Sequence, residues 1–150
     1  MLDDVDKRIL RTLQEDLPIV SRPFAEVADK IGITEEEFFL RVKKLIDSGI
    51  IRKFGLRIDS AKVGFASTLI GLKVPEDKLE EIAKKLNKYN CVTHNYSREH
   101  EYNLWITVIE QNQEKLNEFV KKIVKEDYVQ DMVNLPTKTR FKINVKFDLE

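Results

Sequence analysis

The stretch Val92-Thr93-His94-Asn95-Tyr96-Ser97-Arg98-Glu99-His100-Glu101-Tyr102-Asn103-Leu104-Trp105 holds both histidines of the chain and its only tryptophan, with two tyrosines and an arginine. Imidazole titrates near neutral pH, so it can donate a proton, accept one or ligate a metal. On an extended strand, side chains two apart share a face, which puts His94, Tyr96 and Arg98 together and His100 at a hairpin tip. Such a set could move a proton beside a bound anion. The competing reading is a surface hairpin with structural histidines, where Tyr102 and Trp105 are core aromatics. Clustering of both histidines beside an arginine favours a site.

A second set is cationic. In Lys138-Thr139-Arg140-Phe141-Lys142-Ile143-Asn144-Val145-Lys146-Phe147, the apolar residues alternate and are expected to face a core. Lys138, Arg140, Lys142 and Lys146 then line the opposite face, where they could bind several carboxylates or phosphates through charge-assisted hydrogen bonds. The competing reading is a charged strand that resists edge-to-edge aggregation. Arg52, Lys53 and Arg57, earlier in the chain, could add to such a surface.

The elements that must position these residues follow from periodicity. Asp3 or Asp4 can cap a helix on Val5, Ile9, Leu10, Leu13 and Leu17 that ends at Pro18. Pro23 suits the first turn of a second helix, which Gly32 stops. Thr34-Glu35-Glu36-Glu37 is a capping box opening a third helix with Phe38, Val42, Leu45 and Ile46 inward. Ile50–Ile58 reads as a strand pair, or wing. Residues 1–60 are therefore expected to form a winged helix-turn-helix domain. Residues 61–150 then run strand, helix, hairpin, helix and final strand, with Phe65–Val74 first and Val129–Leu135 and Arg140–Phe147 last. That order is the ferredoxin-like βαββαβ arrangement, so the expected class is α+β. Its helices cover one sheet face and leave the other for a ligand or partner.

Composition removes several functions. Of 150 residues, 26 are Lys or Arg and 26 are Asp or Glu, so net charge is zero and a bulk polycation is excluded. The start of the third helix is where a helix-turn-helix would meet DNA, and here it carries three glutamates that a phosphate backbone repels. DNA is therefore disfavoured as a partner. Cys91 is the sole cysteine, which excludes an intramolecular disulfide and a Cys-rich zinc site. No glycine-rich phosphate loop, nucleophile elbow or histidine pair at metal spacing occurs, so no protein-bound metal is expected. No apolar run approaches the ~20 residues of a membrane span, and the acidic Met-Leu-Asp-Asp start is unlike a signal peptide. A cytoplasmic location is expected.

Over its whole length the chain resembles the Lrp/AsnC family, a helix-turn-helix followed by a βαββαβ ligand-binding domain. One branch resembles it more closely, the siroheme decarboxylase subunits. The resemblance is carried by Ile51-Arg52-Lys53-Phe54-Gly55, Gly64-Phe65-Ala66-Ser67-Thr68, Lys73-Val74-Pro75-Glu76-Asp77, the stretch from Val92 to Thr107, and Phe141–Asp148. It implies removal of two acetate carboxyl groups from siroheme as CO₂, giving 12,18-didecarboxysiroheme on a route to haem or haem d1. It also implies a paralogous partner subunit or a homo-oligomer, and no cofactor beyond the iron that siroheme brings.

Siroheme is a large planar polycarboxylate, so a cationic, aromatic sheet face suits it. Loss of CO₂ leaves an electron pair that must be protonated, and a positioned general acid contributes roughly 10²–10⁴-fold. His94 and His100 are the catalytic candidates, in either order, and one could instead ligate the substrate's iron. Arg98, Tyr96, Trp105, Arg52, Arg57, Arg140 and Lys142 are the candidates for holding substrate. Two other readings stand: an Lrp/AsnC-type DNA-binding regulator sensing a small ligand or haem, and a tetrapyrrole-binding partner without turnover.

Overall fold

A computed structural model describes residues 2–15, 17–56, 58–139, 141–142 and 146–149. By contact the chain divides into one unit of residues 1–56 with 142–150, and a second of residues 57–141.

The first unit is built on three helices. Helix α1 (Asp4–Glu15) opens on reciprocal carboxylate caps, with Asp6 N–H donating to Asp3 at 2.8 Å and Asp3 N–H to Asp6 at 3.3 Å. Helix α2 (Pro23–Ile31) has proline in its first turn and stops at Gly32, whose φ of 82° suits a residue without a Cβ. Helix α3 (Glu35–Asp47) is capped by the Thr34 side chain, which accepts the Glu37 N–H at 3.1 Å. Ile9, Val27, Ala28, Ile31, Phe38 and Leu45 form the core. Ile46, expected inward, is 44% exposed.

The expected wing is absent: no described residue of 50–58 lies in a strand. A ladder needs a partner strand, and this segment has none. Ile51 N–H donates instead to Leu45 O at 3.0 Å, and Phe54 leans on Phe24 with ring centroids 5.9 Å apart.

The second unit runs β1 (Ala66–Lys73), α4 (Leu79–Leu86), β2 (Val92–Ser97), β3 (Leu104–Glu110), α5 (Gln113–Ile123) and β4 (Asp131–Pro136). A 3-10 turn at Ser60–Val63 precedes it and another, Glu76–Lys78, leads into α4. The sheet order is β2-β3-β1-β4 with every neighbouring pair antiparallel, the βαββαβ arrangement expected. Ile70, Leu72, Leu104, Ile106 and Val108 point to the helices and pack on Ile82, Leu86, Leu116, Phe119 and Ile123.

The cationic strand is a correction. The sheet ends with β4 at Pro136, and none of the described residues 141, 142 and 146–149 is in a strand. Phe141 and Phe147, expected to face the core, are 95% and 65% exposed. The described residues 142 and 146–149 group with the first unit rather than the second. There the Gln14 side chain brackets Phe147, accepting its N–H at 2.8 Å and donating to its C=O at 3.3 Å, and Lys146 pairs with Glu15. A strand cannot form the expected ladder while its backbone is held by a helix side chain. Residues 140 and 143–145 lie outside the described residues.

Candidate functional site

The sheet face opposite α4 and α5 carries the candidate site. Register places Tyr96 opposite Trp105, Trp105 opposite Gly71 and Gly71 opposite Val133, in one row across all four strands. The next row is His94, Thr107, Leu69 and Leu135. Directly opposed residues of antiparallel strands share a face, so both rows lie on the open side.

A β-bulge makes this arrangement. Val92 pairs with Val108 and His94 with Thr107, so Thr93 is the extra residue. By strict alternation Val92, His94 and Tyr96 would share a face. The bulge breaks that parity: Val92 packs against the core while His94 and Tyr96 are exposed on the other side. Asn95 points inward, donating to Ala83 O at 3.0 Å and Asn87 Oδ1 at 2.9 Å, which ties β2 to α4.

These rows and the hairpin tip line an open cleft of about 780 Å³, bounded by Leu69, His94, Tyr96, Arg98, Glu99, His100, Trp105 and Thr107. Five of the sequence-selected residues are thus brought together. The Arg98 guanidinium lies 5.8 Å from the Tyr96 ring centre, and no carboxylate among the described residues pairs with it. Arg52 is exposed after α3 and Lys142 is exposed in the C-terminal segment, both in the first unit. Neither lines the cleft, because the strand meant to present Lys142 does not form. Arg57 and Arg140 lie outside the described residues.

The two imidazoles are held differently. Tyr102 N–H donates to His100 Nδ1 at 3.1 Å, which puts the remaining proton of a neutral ring on Nε2. His94 Nδ1 is 3.1 Å from Thr93 Oγ, whose hydroxyl donates to Thr107 O at 3.2 Å. With that hydroxyl hydrogen engaged, Thr93 Oγ is left to accept from His94 Nδ1–H. His94 can therefore carry protons on both nitrogens with its hydrogen bond intact.

Behind the cleft, Trp105 Nε1–H donates to Tyr102 O at 2.7 Å and Tyr102 OH donates to Asp131 at 2.8 Å. That bond is the main cause that holds the Asp131 carboxyl below its ordinary range and pushes the Tyr102 phenol up. The Tyr102 ring stacks on His100 with centroids 5.9 Å apart. Glu99, Thr107 and Leu69 line the cleft, and Thr93 contacts His94, without having been singled out in the sequence. Thr107 and Leu69 follow only from register, and Thr93 only from the bulge. Among the described residues, no group of three His, Cys, Asp or Glu could hold a metal ion, and no helix is long and apolar enough to cross a membrane.

In the first unit, Arg41 bonds Asp3 at 2.7 Å, Asp6 at 2.9 Å and Glu37 at 2.9 Å, which raise its already high pKa. Arg22 pairs with Glu35.

Residues 6–52 match the family described as the siroheme decarboxylase NirDL-like HTH domain, and residues 62–142 match the AsnC-like ligand binding domain. The chain is 40% identical to the siroheme decarboxylase alpha subunit of Oleidesulfovibrio alaskensis, over 99% of this chain and 90% of that protein. The solved structure of the siroheme decarboxylase NirDL superposes with a TM-score of 0.74 at 33% identity, covering 98% of this chain and 48% of that one. NirDL in co-complex with an iron-uroporphyrin III analogue gives 0.72 at 32% identity, over 97% and 48%. This chain spans about half the length of those two structures.

Proposed function

The chain belongs to the siroheme decarboxylase family, and from that premise we propose that it is one subunit of a carboxy-lyase acting on siroheme, with the cleft on the open sheet face as its active site. The observation that carries the reading is the convergence of two imidazoles, one guanidinium without a carboxylate partner and two aromatic rings in a single open groove. The groove's size and its aromatic wall suit a planar macrocycle. Binding of an iron-uroporphyrin III analogue by NirDL supports a macrocycle of that kind, which brings its own iron.

Decarboxylation of an acetate arm breaks the bond between its methylene carbon and the carboxylate. CO₂ leaves, the electron pair stays on the methylene carbon, and one proton from the protein converts it to a methyl group. No net oxidation occurs. Arg98 is placed to pair with a carboxylate arm and orient the macrocycle, since no internal carboxylate competes for it. His94 is the better-placed general acid, because its doubly protonated form keeps the hydrogen bond to Thr93. His100, with Nδ1 engaged by the Tyr102 amide, donates a hydrogen bond from Nε2 to a carboxylate or carbonyl oxygen. The alpha-subunit name of the 40%-identical relative supports a partner chain of the same design.

Against DNA binding stands the charge on α3, where Glu35, Glu36 and Glu37 occupy the first turn and Arg41 is committed to three carboxylates. The test is anaerobic incubation with siroheme, alone and with a co-expressed paralogous subunit, read by mass spectrometry. Loss of two CO₂ masses is expected. His94→Gln should lower the rate by ~10²–10⁴-fold, the range for a positioned general acid. No mass loss in either preparation, together with tight salt-sensitive binding to a defined DNA site, overturns the reading.

A further inference from the structure

Gly71 sits in the centre of a four-stranded sheet, between Trp105 on β3 and Val133 on β4. Glycine there weakens a strand, because it packs nothing and loses more backbone entropy than any other residue. Its backbone has no need of glycine, since the positive-φ glycines are Gly32, Gly49 and Gly64. What the position uses is the missing side chain. A Cβ built on Gly71 would lie 2.9 Å from Val133 Cγ2, 3.0 Å from Trp105 Cη2 and 3.1 Å from Trp105 Cζ2. At the first distance something must shift, and at the other two the indole must give by a few tenths of an ångström.

The indole is therefore fixed at both ends. Nε1–H is tied to Tyr102 O at 2.7 Å, and the six-membered ring reaches across the space above Gly71. With the Nε1 end held, a side chain at position 71 displaces the other end outward, into the cleft that Trp105 lines.

We propose that Gly71 is a specificity-determining positioning residue: by admitting the Trp105 ring against the sheet, it keeps the cleft floor low and flat enough for a planar tetrapyrrole to lie on. This rests on the reading of the cleft as a siroheme site and adds the reason it accepts a wide ring. Val133 takes part from β4, as the other wall of the space the indole end occupies. Gly71 touches no substrate in this scheme and acts through the Trp105 ring, with Val133 bounding the same space.

The experiment compares wild type, Gly71→Ala, Trp105→Phe and Gly71→Ala/Trp105→Phe, each as the full chain with its co-purified partner subunit. The probe is iron uroporphyrin III, titrated by absorbance. A second readout, tryptophan emission, is taken from wild type and Gly71→Ala, each purified alone, where Trp105 is the single tryptophan. Gly71→Ala should shift the emission to the red and weaken probe binding at least tenfold with an unchanged far-UV spectrum. Phenylalanine lacks the indole atoms that meet the new Cβ, which leaves only the Val133 methyl to give, so the double variant should bind within threefold of Trp105→Phe alone. Should Gly71→Ala fail to fold, recovery of folding in the double variant also locates the clash at the indole.

Wild-type emission and affinity in Gly71→Ala overturn the inference, as does a double variant that stays tenfold below Trp105→Phe. A wild-type protein that binds no iron uroporphyrin overturns the tetrapyrrole reading. That result is distinct, because both failures of the Gly71 inference are read from a wild-type protein that binds the probe.

Discussion

Asn103→Ala has a cost that can be worked from geometry. Asn103 is 8% exposed, at the start of the strand that carries Trp105. Its Oδ1 accepts the Val74 N–H at 3.0 Å, and its Nδ2 donates to Val74 O at 2.9 Å and to Glu76 at 2.9 Å. Val74 lies one residue beyond β1, where the ladder has ended, and is 3% exposed. The amide therefore replaces a missing strand partner at a place water does not reach. Leaving a buried polar group unsatisfied costs ~1–3 kcal/mol, so two orphaned groups cost about 4 kcal/mol. With a urea dependence of about 2 kcal/mol/M, the unfolding midpoint followed by Trp105 fluorescence should fall by about 2 M. Asn103→Asp keeps the acceptor but sets a carboxylate against Val74 O, so it should fall as well. A midpoint loss below about 0.5 M in the alanine variant, equivalent to roughly 1 kcal/mol, would refute the claim that this amide closes the end of the sheet.

The cleft yields further expectations. Arg98→Ala should weaken binding of iron uroporphyrin by about fivefold, the worth of an exposed ion pair of ~1 kcal/mol, with an unchanged far-UV spectrum; equal affinity in a titration returns Arg98 to the solvated surface. Thr93→Val removes the acceptor for His94 Nδ1 and should lower kcat by about tenfold with little change in KM, as loss of a proton-donor's orientation predicts; an effect on KM alone would contradict that role. Tyr102→Phe removes the bond that holds the Asp131 carboxyl below the ordinary 3.8. A depressed carboxyl contributes stability above its unfolded pKa and loses it as pH falls through the folded value. The urea-midpoint gap between wild type and Tyr102→Phe should therefore be full at pH 7 and shrink below about pH 4; a gap independent of pH would disprove the linkage. Burial first, and then Glu110, push the Cys91 thiol up to about 11. Thiol-directed alkylation at pH 7 should be slow, and labelling at the rate of a free thiol would show Cys91 to be more open than the structure has it.

How much of this was legible depended on whether the signal was local. Asp3, Pro23, Gly32 and Thr34 act through their own neighbouring backbone, and the helices they bound are found where those residues place them. The His-Tyr-Arg-His string was legible as a set because a hairpin keeps its own residues together. His94 and Tyr96 share the open face through a bulge at Thr93 that turns Val92 inward, and alternation alone would have placed all three on one side. Wing and final strand were misread because alternation marks what a segment could form, whereas a ladder also needs a partner. Nothing local in Phe141–Phe147 says that Gln14 will hold the backbone of Phe147.

Loss of the cationic strand changes the electrostatics of the site more than its location. Lys146 is neutralised by Glu15, Lys142 belongs to the first unit, and among the described cations Arg98 alone lines the cleft. A single guanidinium cannot offset all the carboxylates of a siroheme ring, and Glu99 at the cleft edge adds a like charge. On the proposed reading, the described part of the cleft favours binding through ring contact with Trp105 and Tyr96, with Arg98 selecting one arm, over neutralisation of the whole periphery. Such a site leaves the remaining carboxylates to water or to a partner's cations. Salt separates these cases: if affinity rests on ring contact and one ion pair, raising ionic strength should weaken iron uroporphyrin binding to the chain alone only modestly, because an exposed pair is worth ~1 kcal/mol or less. A steep salt dependence, as seen when many phosphates or carboxylates are neutralised together, would show that cations outside this cleft do the holding.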